Sequence, residues 1–332
     1  MTDRPWKLGI DLGGTKILAA VIGPDNAILS RAKKKTKVEL GAEAVLERIA
    51  QTAEEALQLA SGSAEAIACA GIGAPGPLDP ETGVVLEAPN LQWKEVALTA
   101  WLSERLGIPS YLSNDVNAGT WGEYVLGAGQ GSRSCIGVFV GTGIGGGLVI
   151  NGQLYDGASH IAGEIGHMCL DPNGPVCGCG RRGCLEAFAS RTAMTRDLLN
   201  ESKKRDREIP EVIEKGQLIR SKEFRKKLSA GDPSYVRVFE GATECLGRGL
   251  ASVTNLLNPD CIILGGGVVE ALGSAYVDRV REVLAAHAFP TAVGALRLVP
   301  AALGDDAGVL GAALLAQMQH ERRPRREPAS VS

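Results

Sequence analysis

Three cysteines and a histidine lie close together in the segment HMCLDPNGPVCGCGRRGCLE, which runs from His167 to Glu186. Thiolate sulfur and imidazole nitrogen are the ligands that Zn²⁺ prefers, and four of them fill its tetrahedral shell. We therefore predict a structural zinc site held by His167, Cys177, Cys179 and Cys184. Asp171 is a fifth candidate, but a carboxylate suits zinc less well beside three thiolates. The alternative is a set of free or redox-active thiols, whose close spacing would favour oxidation.

Three glycine-rich stretches each follow a short apolar run, namely DLGGTK (Asp11–Lys16), GTGIGGG (Gly141–Gly147) and CIILGGG (Cys261–Gly267). Glycine lets backbone N–H groups approach an anion closely, so such loops can wrap phosphate oxygens. The first stretch adds a carboxylate, a hydroxyl and an ammonium group, which suit Mg²⁺ and phosphate. Taken singly, each stretch is also typical of a tight turn.

The first two glycine stretches are predicted to be hairpin turns, because an apolar strand resumes after each. The residue order therefore differs from that of the P-loop, GxxxxGK[ST], which connects a strand to a helix. The string GTGIGG is followed by the apolar strand Leu148–Ile150, where a dinucleotide-binding fold requires a helix. Neither of these two nucleotide motifs is therefore predicted.

Alternating strands and helices must position these residues. Apolar residues at helical spacing predict helices at 42–59, 98–106 and 307–318. Strands are predicted at 66–72 and in the run that ends at Asn114 and Asp115, with a turn-rich loop at 74–83. The pattern of strand and glycine turn that opens the chain returns from Cys135, which predicts an internal duplication within an α/β fold.

Composition and charge narrow the class of protein. The chain has 332 residues, is 45% hydrophobic and carries a net charge of −3, which is typical of a globular protein and argues against a large nucleic-acid surface. The sequence shows no apolar run long enough to cross a bilayer and no signal core near Met1, so we expect a cytoplasmic protein with no membrane partner. There its eight cysteines would stay reduced. Residues 319–332 are polar and basic, and we predict that this tail is disordered.

Four motifs together resemble the ROK family, named for repressors, open reading frames and kinases. They are DLGGTK, SNDVNA (Ser113–Ala118), GTGIGGGLVINGQLYDGASHIAGEIGH (Gly141–His167) and CGCGRRGCLE (Cys177–Glu186). The resemblance extends to about Met318 and is strongest to the bacterial glucokinases of the family. It implies an actin-like ATPase (ribonuclease H-like) α/β fold of two duplicated domains, with the active site in the cleft between them.

The resemblance also implies a division into domains. Residues 1–115 would form the N-terminal domain, completed by a C-terminal helix at about 305–318. Residues 116–304 would form the C-terminal domain, which contains the zinc loop at 167–186.

Several site residues follow from the same resemblance. Asp115 matches the family's catalytic base, which accepts the proton of the attacking sugar hydroxyl, although an Asp after a strand is by itself more often a helix cap. The implied sugar-binding residues are Gly76, Asn90, Asn114, Asp115, Glu164, His167 and Glu186. The implied nucleotide-binding residues are Asp11, which would lie near Mg²⁺, and Gly13, Gly14, Thr15, Lys16, Thr142, Gly143, Gly265, Gly266 and Gly267. Lys16 at a hairpin tip is equally compatible with a solvated side chain.

The implied activity is ATP-dependent phosphorylation of glucose to glucose 6-phosphate, by a homodimer without a nucleic-acid partner. Kinases for fructose, allose, N-acetylmannosamine and N-acetylglucosamine share these signature residues, so the sugar stays open, as does polyphosphate as the donor. The repressors of the family carry a helix-turn-helix domain in front of the same fold, whereas here the first strand begins by Trp6. We therefore expect a kinase rather than a sugar-sensing regulator. A non-catalytic sugar-binding or scaffold protein is a further alternative, which the retained phosphate loops and Asp115 disfavour.

Overall fold

The computed structural model describes residues 5–205 and 209–322. In this part of the chain the strands are β1 (Trp6–Leu12), β2 (Lys16–Ile22), β3 (Ile28–Lys35), β4 (Ile67–Ala74), β5 (Leu78–Asp79), β6 (Val84–Ala88), β7 (Trp93–Val96), β8 (Ser110–Asn114), β9 (Cys135–Val140), β10 (Ile144–Ile150), β11 (Gln153–Leu154), β12 (Cys261–Gly265) and β13 (Arg297–Pro300). The α-helices are α1 (Ala42–Leu59), α2 (Leu98–Leu106), α3 (Asp115–Leu126), α4 (Glu186–Ala189), α5 (Arg191–Lys204), α6 (Glu211–Glu214), α7 (Ser221–Ser229), α8 (Pro233–Leu257), α9 (Gly267–Leu272), α10 (Ser274–His287), α11 (Pro290–Ala295) and α12 (Ala307–Arg322). Short 3₁₀ helices lie at Val38–Leu40, Ala64–Ala66, Pro89–Leu91, Ile165–His167 and Gly304–Asp306.

Two compact units divide the chain. The first contains the chain up to Gly122 together with the chain from Asp305 onward, and the second is Glu123–Gly304. The prediction from the sequence places the boundary between the units at residue 115. In the structure it lies inside α3. The reason is close packing of α3 on α12, since a Cβ on Gly122 or Gly311 would overlap the backbone of Ala307 or Ala118.

The first unit is built on a five-stranded sheet with the order β3-β2-β1-β4-β8. Strands β1, β2 and β3 are antiparallel neighbours, whereas β4 and β8 run parallel to β1. Helix α12 lies directly on this sheet, because a Cβ on Gly9 of β1 or on Gly71 of β4 would overlap the carbonyl group of Val309 or Ala312. A small separate sheet has the order β5-β6-β7.

The second unit repeats this topology. Its sheet has the order β11-β10-β9-β12-β13, in which β9, β10 and β11 are antiparallel and β12 and β13 run parallel to β9. The long helix α8 and helix α10 contribute Leu246, Leu250 and Tyr276 to the core of this unit. The internal duplication predicted from the glycine hairpins is therefore confirmed by the strand order.

Several local predictions are confirmed and others need correction. Helices α1 and α2 have the predicted bounds, and both hairpins form. The predicted turn-rich loop at 74–83 contains strand β5, because Leu78 is buried and pairs with Val85. The third glycine stretch, for which no hairpin was predicted, connects β12 to α9. Helix α3 was not predicted, because most of its residues are buried and its sequence lacks an amphipathic period.

The prediction of a disordered tail at 319–332 is wrong for residues 319–322. Helix α12 continues to Arg322, and the Nδ1 atom of His320 lies 2.9 Å from the hydroxyl of Tyr111 in β8. This contact explains why residues 319–322 are ordered as helix, whereas the rest of the predicted tail lies outside the described residues. Among the described helices, none is both long and apolar enough to span a bilayer.

Candidate active site and metal centre

Two acidic residues lie at one edge of the sheet in the first unit. The carboxyl ends of parallel strands β1, β4 and β8 lie side by side there, with Asp11 opposite Gly73 and Asn114 opposite Ala74. Asp115 follows directly as the first residue of α3. A Cβ on Gly73 would come within 3.3 Å of the Asp115 Cα atom, so the glycine lets α3 begin close to β4. Asp11 and Asp115 therefore flank Gly73.

The cap of α3 is supplied by Asn114 rather than by Asp115 alone. The Asn114 Oδ1 atom accepts hydrogen bonds from the N–H groups of Val116 and Asn117, at 2.9 and 3.1 Å. The Asp115 carboxylate accepts one from Val116, also at 2.9 Å. Both acidic and amide side chains are partly buried, so this arrangement fixes the backbone from which the Asp115 carboxylate projects.

The first glycine loop is shaped by its own hydrogen bonds and by Thr36. The Gly13 N–H donates to Lys16 O at 2.9 Å, and the Thr36 hydroxyl donates to Gly13 O at 2.6 Å. Asn90 lies beside this loop, since a Cβ on Gly14 would come within 3.2 Å of the Asn90 carbonyl oxygen. Gly76 has a φ of 89° and packs against the Glu87 carbonyl, where no Cβ would fit.

The charges around Asp11 suit a divalent cation. The pKa of the Asp11 carboxyl is raised, because the effect of burial outweighs the attraction by Lys16. Repulsion by Asp305 adds to the rise. Lys16 itself is paired with Asp305, with 2.6 Å between Nζ and Oδ1. Lys16, which is predicted to bind phosphate, therefore also forms an ion pair with Asp305. The carboxylate of Asp11 is a hard oxygen ligand of the kind that Mg²⁺ prefers.

The second glycine loop, Gly141–Gly143 between β9 and β10, is held by the start of α5. The Gly141 N–H donates to Gly143 O and the Arg191 N–H donates to Gly141 O, both at 2.9 Å. The Thr142 hydroxyl accepts from Arg191 Nη2 at 2.8 Å, and the Thr142 carbonyl accepts from the Thr192 hydroxyl at 2.7 Å. The loop therefore has a fixed conformation before any ligand binds.

Glu186 links this second loop to the cysteine cluster. Its Oε2 atom accepts from the Ile144 N–H at 2.9 Å, and its Oε1 atom lies 3.3 Å from Cys177 Sγ. A Cβ on Gly143 would overlap the same carboxylate. Glu186, predicted as a sugar ligand, is thus also a contact of the predicted phosphate loop.

The predicted zinc ligands come together in space. One ligand atom from each of His167, Cys177, Cys179 and Cys184 lies within 4.8 Å of the others. The Cys179 and Cys184 sulfurs are 3.7 Å apart, and Cys177 Sγ is 3.8 Å from His167 Nδ1. Zn–S bonds of about 2.3 Å in a tetrahedron separate sulfurs by about 3.8 Å, so the donor set fits Zn²⁺. Asp171 is not among the clustered groups.

The surroundings of the three thiols differ. Burial raises the pKa of Cys177 to about 12 and also raises that of Cys184, whereas the Arg181 N–H lowers the pKa of Cys179. The Nε2 atom of His167 lies 3.8 Å from the exposed Glu164 carboxylate. Two residues that are predicted to bind the sugar are therefore neighbours.

The third glycine stretch lies against β9. A Cβ on Gly265 would come within 2.8 Å of the Phe139 ring, and Gly266 has a φ of 86°. A Cβ on Gly267 would meet no atom within 4 Å, so the backbone is open at this point.

Each unit therefore gathers its own group of the predicted site residues. The first unit holds Asp11, Gly13, Gly14, Thr15, Lys16, Gly76, Asn90, Asn114 and Asp115. The second unit holds Thr142, Gly143, Glu164, His167, Cys177, Cys179, Cys184, Glu186 and Gly265–Gly267.

The sequence did not predict the contacts of two charged residues, Arg191 and Glu123. Arg191 contacts the second glycine loop, and the only signal for it was a cation directly after Ser190, the cap of α5. Glu123 is fully buried and accepts hydrogen bonds from the N–H groups of Ala128, Ala302 and Leu303, at 2.9, 3.0 and 2.7 Å. No signal in the sequence distinguished Glu123 from an ordinary helix surface charge.

Comparisons with known proteins agree with this architecture. Residues 7–319 match the ROK family. The chain is 37% identical to a glucokinase of Thermotoga maritima over 92% of this chain and 95% of the relative. A ROK hexokinase structure from Thermus thermophilus is 36% identical, with a TM-score of 0.80 over 95% of this chain and 99% of that one. The structure of a Streptomyces griseus ROK glucokinase in complex with glucose and AMPPNP is 32% identical, with a TM-score of 0.78 over 94% and 99%.

Regulators are also among the relatives. A xylose repressor of Caldicellulosiruptor bescii is 30% identical over 92% of this chain and 76% of the repressor. The two duplicated α/β units have the actin-like ATPase fold of the ROK sugar kinases, as the sequence predicted. Since the match spans nearly all of the described residues, the chain belongs to the ROK family, and it is similar to the family's bacterial glucokinases.

Proposed function

We propose that this ROK-family sugar kinase transfers the γ-phosphoryl group of ATP to glucose, with Asp115 as the general base, and forms glucose 6-phosphate. The observation that carries the proposal is the pair of carboxylates, Asp11 and Asp115, on either side of Gly73. Phosphoryl transfer to an alcohol needs an acceptor for the hydroxyl proton and a positive charge near the phosphate. Two acids at one sheet edge can serve these two purposes separately.

The roles of the two acids follow from their surroundings. Asp115 stands at the start of α3, where its carboxylate can accept the proton of the 6-hydroxyl as the new O–P bond forms. Asp11 would hold Mg²⁺ together with phosphate oxygens and water. The ion, when bound, would offset the charge of the transferred phosphoryl group.

The family motifs indicate the groups that would bind the sugar, namely Asn90, Asn114, Glu164, His167, Glu186 and the backbone at Gly76. Each buried sugar hydroxyl needs a partner, because an unpaired hydroxyl costs about 1–3 kcal/mol. The zinc ligands form a closed set with no position for water, so the metal would be structural and would hold His167 through Nδ1.

The glycine stretches would bind the nucleotide. Gly13, Gly14, Thr15 and Lys16 would contact the terminal phosphates, and Thr142 and Gly143 would form a second phosphate loop. Gly265–Gly267 would border the adenosine, where the open backbone at Gly267 permits close approach. The similarity to a glucokinase crystallised with glucose and AMPPNP supports this assignment.

A coupled ATP-consumption assay tests the proposal. The purified protein is assayed with glucose, mannose, fructose, N-acetylglucosamine and N-acetylmannosamine, next to Asp115→Asn and the surface control Asp278→Asn. We expect a preference for glucose, a loss of at least about 100-fold in kcat for Asp115→Asn, and no change for the control. Preference for an amino sugar would overturn the choice of glucose, and an active Asp115→Asn variant would overturn the base.

A sugar-sensing regulator is the second candidate, and the similarity to xylose repressors favours it. The two candidates differ in turnover, since a sensor binds sugar without consuming ATP. Saturable glucose binding in calorimetry with no ATP consumption on any of the five sugars would therefore favour the regulator.

We also propose that the enzyme is a cytoplasmic homodimer with no nucleic-acid partner. None of the eight cysteines, all of which the structure describes, forms a disulfide, which suits a reducing compartment. The net charge of −3 offers little attraction to nucleic acid. Light scattering tests the dimer, because a chain of 34.7 kDa would then give twice that mass.

A further inference from the structure

Arg191 is a cation without an acidic partner beside the second glycine loop. It is the first residue of α5, and its backbone N–H and its Nη2 atom donate to Gly141 O and the Thr142 hydroxyl, at 2.9 and 2.8 Å. Its Nε atom is buried and has no hydrogen-bond partner. Among the described residues no carboxylate lies within ion-pair distance of Arg191, although other arginines of this unit, such as Arg205 and Arg237, are paired.

A partly buried guanidinium whose Nε–H has no acceptor is costly unless an anion completes its hydrogen bonds. The Thr142 hydroxyl accepts from the guanidinium, so the side chain is held against the loop that is proposed to bind phosphate. Holding the guanidinium in advance reduces the entropy lost when a ligand binds.

We infer that Arg191 binds a phosphate group of the nucleotide. This inference rests on the proposed use of ATP, and it adds a binding residue that the motifs did not indicate. The guanidinium contributes charge-assisted hydrogen bonds to phosphate oxygens, and the Thr142 hydroxyl holds it in place.

Calorimetric titration with MgADP and, separately, with adenosine tests the inference without any sugar. Arg191→Gln removes the charge, Arg191→Lys keeps it, and Arg205→Gln at the opposite end of α5 is the matched control. We expect Arg191→Gln to weaken MgADP by roughly tenfold or more and to leave adenosine unchanged. Arg191→Lys should weaken MgADP less than Arg191→Gln does, and Arg205→Gln should bind both ligands as the wild type does.

Equal weakening of MgADP and adenosine by Arg191→Gln would overturn the inference, because Arg191 would then act only on the shape of the loop. Unchanged MgADP affinity in that variant would overturn it as well. If the wild-type protein does not bind MgADP, the inference fails together with the use of a nucleotide. If MgADP binding depends on Arg191 while glucose is not phosphorylated, the inference stands and the proposed sugar substrate fails.

Discussion

The two glycine hairpins share one topology and differ in what they carry. In the first, Asp11 on β1 lies beside Gly73 on β4; in the second, Phe139 on β9 lies beside Gly265 on β12. The neighbouring strand has a glycine at both positions. Gly73 leaves room for the start of α3 at Asp115, whereas Gly265 leaves room for the Phe139 ring. The duplicated frame therefore supplies a carboxylate only in the first unit, and the second unit supplies charge from Glu186 and Arg191 outside its sheet.

Removing zinc should have the largest effect and should act on the second unit. Structural zinc contributes its binding energy to folding, so we expect chelation or Cys179→Ser to cost on the order of 5 kcal/mol or more there. Elemental analysis should give one zinc per chain before treatment. Hydrogen exchange should then show lost protection in the loop 167–186 and unchanged protection in β1–β4. Equal loss in both units would contradict a zinc effect confined to the second.

A methyl group on the first sheet should have the next largest effect. Gly71→Ala places a Cβ into the Ala312 carbonyl of α12, whereas the corresponding position of the second sheet holds the buried Ile263. We expect Gly71→Ala to cost about 3 kcal/mol of unfolding free energy through overpacking, and the control Ile263→Val about 1 kcal/mol. Denaturant unfolding measures both, and a smaller loss for Gly71→Ala than for Ile263→Val would contradict the close packing of α12.

Asp11→Asn should separate activity from stability. Without the carboxylate we expect kcat to fall by roughly 100-fold, while Phe139→Leu in the second hairpin should retain most activity.

Burial raises the pKa of Asp11, so the native state binds its proton more tightly than the unfolded state does. Stability therefore falls as the pH rises through the raised pKa. The ionised acid therefore costs stability at neutral pH. Calorimetry should show Asp11→Asn melting above the wild type at pH 7, with a gap that shrinks as the pH approaches 3.8, the usual value.

The two glycine loops themselves should respond differently to alanine, with the smallest effect of the four. A Cβ on Gly143 would displace the Glu186 carboxylate from the Ile144 N–H, whereas one on Gly13 would come no closer than 3.4 Å to Lys16 O. We expect Gly143→Ala to raise the KM values by about tenfold and Gly13→Ala to change them little. Steady-state kinetics on both variants decides this, and a larger effect at Gly13 would show that backbone freedom matters more than Glu186.

Much of the local structure could be predicted from the sequence. The bounds of α1 and α2 follow from apolar residues at helical spacing, and the hairpins follow from strands that resume after glycine. These signals are local, because neighbouring residues determine backbone preference and periodicity. Helix α3 gave no such signal, since it is buried on most sides and only its packing against α12 explains its residues.

The sequence by itself determined the duplication, the family and the residue types of the candidate site, including the set of His167, Cys177, Cys179 and Cys184. Only the tertiary structure decided that Glu186 contacts both Cys177 and the second glycine loop, and that Arg191 lies there without an acidic partner in the described residues. It also decided that Glu123 is buried among backbone N–H groups from residues far along the chain. The physical reason is that burial and hydrogen-bond partners depend on contacts between distant segments, which residue spacing does not encode.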